Sequence, residues 1–120
     1  MTWLLVALAG ALGSACRYVL DRWISARVDG HLPWGTLVVN VSGSLAAGIV
    51  GGLATTRSLT PELTLVIVGG FLGAYTTFST AMVEALHLWE RGRRALAVVD
   101  LVAPLALAIA AAALGWWLVG

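Results

Sequence analysis

The sequence predicts an all-α membrane protein of four transmembrane helices, and three observations carry that prediction. Of 120 residues, 60% are hydrophobic and 11% charged, and mean hydropathy is +0.94, whereas a soluble domain carries about 25% charged residues. Four apolar stretches, 3–16, 32–56, 63–83 and 101–120, account for most of the chain, and about 20 helical residues cross a hydrocarbon core. All six tryptophans, Trp3, Trp23, Trp34, Trp89, Trp116 and Trp117, fall near the ends of those stretches, where amphipathic rings settle at headgroup level. Tryptophans spread through a soluble core do not make this pattern. The formal charge of +1 comes with no basic run able to track nucleic acid. Cys16 is the only cysteine, so it makes neither an intrachain disulfide nor a zinc cluster, and the redox compartment stays unread.

The spans follow in order at about 3–20, 33–56, 62–90 and 95–119, in a single domain over 1–120. The first is short unless Arg17 snorkels at the interface and Tyr18 to Leu20 complete it. A cleaved signal peptide fits poorly: no Arg precedes the apolar run, and too few apolar residues precede Ala7-Leu8-Ala9. Span two opens with Pro33 and Trp34 and places Thr36 and Asn40 four apart on one helix face. Both are neutral donors, suited either to bonding a neighbouring helix or to an ion that must shed water without being trapped by a fixed charge. Ser44, Gly48 and Gly52 on span two, and Gly69 and Gly73 on span three, let helices approach closely. Residues 9–15 and 69–75 echo one another through shared glycines, which composition explains without a repeat. On span four, Asp100 is within reach of Arg91, Arg93 and Arg94, so a snorkelled salt bridge is favoured over a proton relay. Pro104 kinks that helix.

Four spans put both chain ends on one side with Arg57. The loops after spans one and three carry Arg17, Arg22, Arg27, Arg91, Arg93 and Arg94 on the other. Topology follows Arg and Lys, so those loops are cytoplasmic and both termini lie outside the cell membrane, in one orientation.

Span three is the least ordinary. Read as one helix over 63–90 it is about 42 Å long against a hydrocarbon core of roughly 30 Å, and Tyr75-Thr76-Thr77-Phe78-Ser79-Thr80 puts four hydroxyls and a phenol near its middle. A break at 75–80 resolves the mismatch. It leaves carbonyls that suit a cation and N–H groups that suit an anion. The alternative is an unbroken helix whose hydroxyls bond back to the preceding turn. Glu84, three residues before His87, and Arg17 are the ionisable residues nearest the apolar segments on the cytoplasmic side, where an interfacial ion pair accounts for them.

Residues 10–18 (GALGSACRY), 33–40 (PWGTLVVN) and 69–80 (GGFLGAYTTFST) resemble, in order and spacing, the Fluc (CrcB) fluoride channel family. The resemblance implies four-span subunits paired antiparallel in a dimer, with a third helix broken near the bilayer centre and two narrow pores that export fluoride by passive flow. It implies that Asn40 lines the pore, that Phe78 offers its ring edge to fluoride, and that Ser79, Thr80 and Thr36 donate hydroxyls along the path. Arg17 and Glu84 then stand at a vestibule or support its wall. It also implies a structural sodium ion at the dimer centre, held by the backbone carbonyls of Gly73 and Thr76.

Two departures stand beside the match. The family's run after the break is Phe-Ser-Thr-Phe, and here Ala81 follows Thr80. The Tyr and Ser track of the family's fourth span aligns with Asp100, Pro104 and Ala108. With the Arg bias, these losses point to pairing with an oppositely oriented homologue rather than with itself. The rivals are a small four-helix multidrug or cation transporter and a non-conducting membrane assembly protein. The first needs a buried carboxylate that 3–16 lacks; the second would leave Asn40 and Phe78 replaceable. Enzyme chemistry is disfavoured, since His31 and His87 share no metal-ligand spacing and no nucleophile has a visible base.

Overall fold

A computed structural model describes residues 1–28, 34–56 and 58–119. His31, Pro33, Arg57 and Gly120, which enter the readings above, lie outside the described residues. The helices are α1 (Thr2–Arg27), α2 (Trp34–Thr55), α3 (Pro61–Thr64), α4 (Gly73–Tyr75), α5 (Ser79–Glu90) and α6 (Arg94–Val119), with a π-helix, Leu65–Leu72, joining α3 to α4. They make up four spans long and apolar enough to cross a membrane. No strand occurs among the described residues.

Local chemistry explains the boundaries. Thr60 caps the third span, its hydroxyl oxygen accepting from the Leu63 N–H at 3.1 Å, with Pro61 in the first turn, where a missing N–H costs nothing. Helix α5 ends in a reversal: Gly92 adopts φ 79, its N–H bonds to the Trp89 carbonyl, and the Arg93 N–H bonds to the Leu88 carbonyl. This left-handed glycine turn satisfies carbonyls the helix end would otherwise orphan. α1 runs to Arg27, past the expected end near residue 20. Ile24 is buried and the Arg27 guanidinium lies over the Trp23 ring at 4.3 Å, so the last two turns are held as an interfacial extension. Arg94 lies over Trp89 in the same way, at 5.0 Å.

Packing is by backbone approach rather than by large side chains. α2 crosses α6 where Gly48 meets the Ala112 carbonyl and Gly115 meets the Leu45 carbonyl, with no room for a Cβ at either. α1 crosses the π-helix where Gly13 abuts the Phe71 carbonyl and Gly70 abuts Val6 and Ala9. In lipid such contacts take the place of hydrophobic exclusion. The expected small-residue pair on span three needs correction: Gly70 faces α1, while Gly69 and Gly73 are exposed and meet only their own segment. The π-helix turns the register so that the second glycine, not the first, lies inward. Val39 is fully buried, whereas Leu, Val and Trp side chains line the outside as a lipid-facing surface requires.

Gly48→Ala is expected to destabilise the fold by about 1–3 kcal/mol, because its methyl collides with the Ala112 backbone. Thermal unfolding in detergent checks this; Leu105→Ala, at an exposed position, should leave the midpoint nearly unchanged.

Candidate functional site

The third span stops being helical between Tyr75 and Ser79, and Thr76 has extended backbone at φ −80, ψ 154. The non-helical stretch, 76–78, is narrower than the expected 75–80: Tyr75 closes α4, and Ser79 and Thr80 open α5. A continuous helix would direct the Thr77 N–H to the Gly73 carbonyl. Instead it donates to Asn40 Oδ1 at 2.7 Å, and Asn40 Nδ2 donates to the Thr77 carbonyl at 2.8 Å. One side-chain amide therefore grips both polar groups of one residue across the bundle. The Thr80 N–H likewise goes to Thr77 Oγ1, at 3.3 Å, instead of the Thr76 carbonyl. Gly73 and Thr76 have thus lost the donors a helix would give their carbonyls, and both are accessible.

Hydroxyls gather just beyond. Thr77 Oγ1 donates to Thr80 Oγ1 at 3.1 Å and lies 3.5 Å from Ser79 Oγ. Before the interruption, Ser42 Oγ and the Tyr75 hydroxyl are 3.0 Å apart, and Tyr75 stacks on Phe71 with ring centroids 5.8 Å apart. Gly43 packs directly on Thr76 and Tyr75, which seats α2 against the end of α4.

Thr36, one turn before Asn40 on α2, donates its hydroxyl proton to Glu84 Oε1 on α5 at 2.6 Å. That hydroxyl is therefore committed to Glu84. Among the described residues no ion pair joins Arg17 to Glu84. Arg17 instead lines a cavity of about 190 Å³ together with Asp21, Thr36, Thr77 and Thr80. A second cavity, of about 110 Å³, opens between α2, α5 and α6 and is lined by Thr36, Asn40, Ala81, Asp100 and Pro104. Three of the four positions where the sequence departs from the resembled family, Ala81, Asp100 and Pro104, thus border one space with Asn40. Asp100 also requires correction. It is 7% exposed, its Oδ2 has no hydrogen-bond partner, and no salt bridge joins it to Arg91, Arg93 or Arg94 among the described residues. It lies on the inward face of α6, away from the arginines at the helix start. α6 remains helical through Pro104, whose missing N–H deprives the Asp100 carbonyl of its helical donor.

Phe78 joins none of these clusters: it is 67% exposed, on the outer surface of the chain. The described residues hold no group of three His, Cys, Asp or Glu side chains placed to bind a metal. The oxygens at the interruption are thus uncharged: backbone carbonyls, the Thr and Ser hydroxyls and the Asn40 amide oxygen.

Residues 4–116 match the family model described as CrcB-like protein, Camphor Resistance (CrcB). The chain belongs to this family. Among its CrcB-like relatives, a protein of Symbiobacterium thermophilum named fluoride-specific ion channel FluC 1 is 41% identical, over 97% of this chain and 98% of the relative. A protein of the same name from Leifsonia xyli subsp. xyli is 43% identical, over 98% of this chain and 85% of the relative. The fluoride-specific ion channel FluC of Magnetococcus marinus is 45% identical, over 92% and 90%.

Two residues of this CrcB-like site were not singled out from sequence. Thr77 is the residue that Asn40 grips, and nothing in its neighbourhood sets it apart from Thr76. Asp21 of α1 packs against Gly35, which has no room for a Cβ there. Its only sequence signal is a carboxylate one turn beyond Arg17.

Thr36→Val removes the hydroxyl at nearly constant shape and leaves Glu84 Oε1 without its donor. It is expected to cost about 1–3 kcal/mol of stability, read as a lower thermal midpoint, with Thr36→Ser restoring most of it.

Proposed function

We propose that this chain is a subunit of a fluoride-selective channel that lets fluoride leave the cytoplasm by passive flow. Relatives named as ion channels support conduction rather than catalysis as its role. The observation that carries the reading is the Asn40 clamp on Thr77, because it holds a span open at membrane depth with a neutral amide, beside a row of hydroxyls. The names of relatives sharing about 40% identity over nearly the whole chain support the same ion.

Fluoride gives up its water only where other donors replace it, and a path without a fixed cation on it lets the ion leave again. Asn40 Nδ2 carries two N–H groups. One is held by Thr77 and the other is available to the cavity that Asn40 lines. Thr80 accepts the Thr77 proton, so its own O–H is available, while the Ser79 O–H faces Thr77 Oγ1 at a long 3.5 Å and is readily exchanged for an ion. Phe78 presents its ring, whose edge is electropositive, to whatever covers its exposed face.

Two subunits pair antiparallel, and the exposed Phe78, Gly69 and Gly73 belong to the face that the second subunit covers. The Gly73 and Thr76 carbonyls fit a sodium ion, being uncharged oxygen ligands freed of their helical donors at a half-helix end. Bound there, sodium would supply positive charge that neutralises those carbonyls where two interrupted spans cross. The partner is an oppositely oriented homologue rather than a second copy, on two grounds: the arginine bias and the cavity lined by Ala81, Asp100 and Pro104. The subunit sits in the inner, or plasma, membrane with both termini outside.

Reconstituted in liposomes with that homologue, the chain is expected to release fluoride to an electrode. Asn40→Ala should slow release by about tenfold, the loss of one hydrogen-bonding partner, and Phe78→Ile should slow it through loss of the electropositive ring edge, while crosslinking still finds dimers. Unaltered release from both variants would leave the assembly-protein reading standing, and full release from this chain alone would contradict the heteromeric pairing. Replacing sodium with a bulky organic cation should slow release and loosen the dimer; indifference of both would remove the sodium site.

A further inference from the structure

The cavity of about 110 Å³ beside Asn40 contains a group that anion conduction does not need. Asp100 is 7% exposed, borders this cavity, and has an Oδ2 with no hydrogen-bond partner. Thr36, which lines the same cavity, bonds Glu84 Oε1, and Glu84 Oε2 is buried and unpartnered. Two unsatisfied carboxylate oxygens in a low-dielectric site are costly. They are worse still on a fluoride path, since each fixed negative charge repels the ion over the short distances of a cavity this size.

The ionisable groups around the pair do not relieve it. Those acting on Glu84 are Asp100 on α6, Asp21 on α1 and His87 on α5. α2, which packs against α6, contributes only the neutral Thr36 and Asn40, because Trp34–Thr55 contains no ionisable residue. Arg17 lines the neighbouring cavity, on the Asp21 side of Thr36. The group that changes the balance is a proton. A protonated carboxyl loses its charge and gains an O–H donor.

We propose that the α2–α5–α6 cavity is a proton-linked anion site, in which protonated Asp100 donates its O–H to a fluoride ion held beside Asn40, and ionised Asp100 excludes that ion. Glu84 acts through Asp100 as a positioning residue: fixed by Thr36, it is the acidic neighbour that favours the proton staying on the pair. This rests on the fluoride-channel reading and adds to it that passage past this subunit requires a proton drawn from water at the membrane face. The proton is taken up and returned at equilibrium, with no bond made or broken in the anion.

Fluoride release by the wild-type pair is compared at about pH 8.5 and about pH 6.5, with release from protein-free vesicles subtracted for hydrogen fluoride leak. Release is expected to rise about tenfold toward the lower pH, the signature of a site that binds a proton and the ion together. Asp100→Asn keeps the shape, holds no titrating proton, and should flatten that dependence; Glu84→Gln should weaken it. Infrared difference spectra of the wild type, which need no flux, should contain a protonated-carboxyl C=O band that grows when fluoride is added and ignores nitrate. Release that is equal at both pH values, or a band indifferent to fluoride while fluoride still flows, overturns the proton-linked site and leaves the channel intact. No fluoride release at either pH, together with a band indifferent to fluoride, overturns both readings.

Discussion

The amide of Asn40 is the interaction on which the rest of this structure depends. A peptide group that leaves its helix inside a bilayer has no water to turn to, so an interrupted span exists only where something else meets its N–H and C=O. Asn40 meets both at once for Thr77, with one donor and one acceptor of a single planar group. A hydroxyl could donate and accept but could not span the two peptide atoms. A charged group would satisfy one of them and add a fixed charge to the proposed path.

That clamp works because α2 is pinned. Its small residues bring it onto α6 at Gly48 and Gly115, while Gly43 seats it on Thr76 and Tyr75. Held from both sides, α2 presents one face whose successive turns perform different tasks. Asn40 keeps the third span open, and Thr36 one turn earlier holds Glu84 on the far side of the opening. The price of a polar interior is visible in the same place, as two carboxylate oxygens without partners. The Asn40 clamp and these unpartnered oxygens therefore lie close together among α2, α5 and α6.

The number and rough extent of the spans were legible because hydropathy and tryptophan placement depend on one helix at a time. The unusual character of 75–80 was legible for the same reason: four hydroxyls in an apolar stretch stand out locally. What was not legible depends on which faces meet. Asn40 and Thr77 are 37 residues apart and Thr36 and Glu84 are 48 apart, and no spacing in one segment announces a partner in another. The π-helix shifted the inward glycine from Gly69 to Gly70, a register change that a 3.6-residue period cannot anticipate. Asp100 was expected to reach outward to arginines, since sequence distance made them its nearest opposite charges; helical rotation turned it inward.

Replacing the Thr77 peptide N–H with an ester oxygen, with every side chain intact, tests the central claim most directly. The ester removes the donor that binds Asn40 Oδ1 and also weakens the Thr76 carbonyl as an acceptor, so release is measured at saturating sodium to separate the clamp from the cation site. Fluoride release measured from the reconstituted pair should fall markedly if the clamp keeps the third span open for the ion. Release at the native rate would contradict the account, since the grip of Asn40 on Thr77 would then be incidental to conduction.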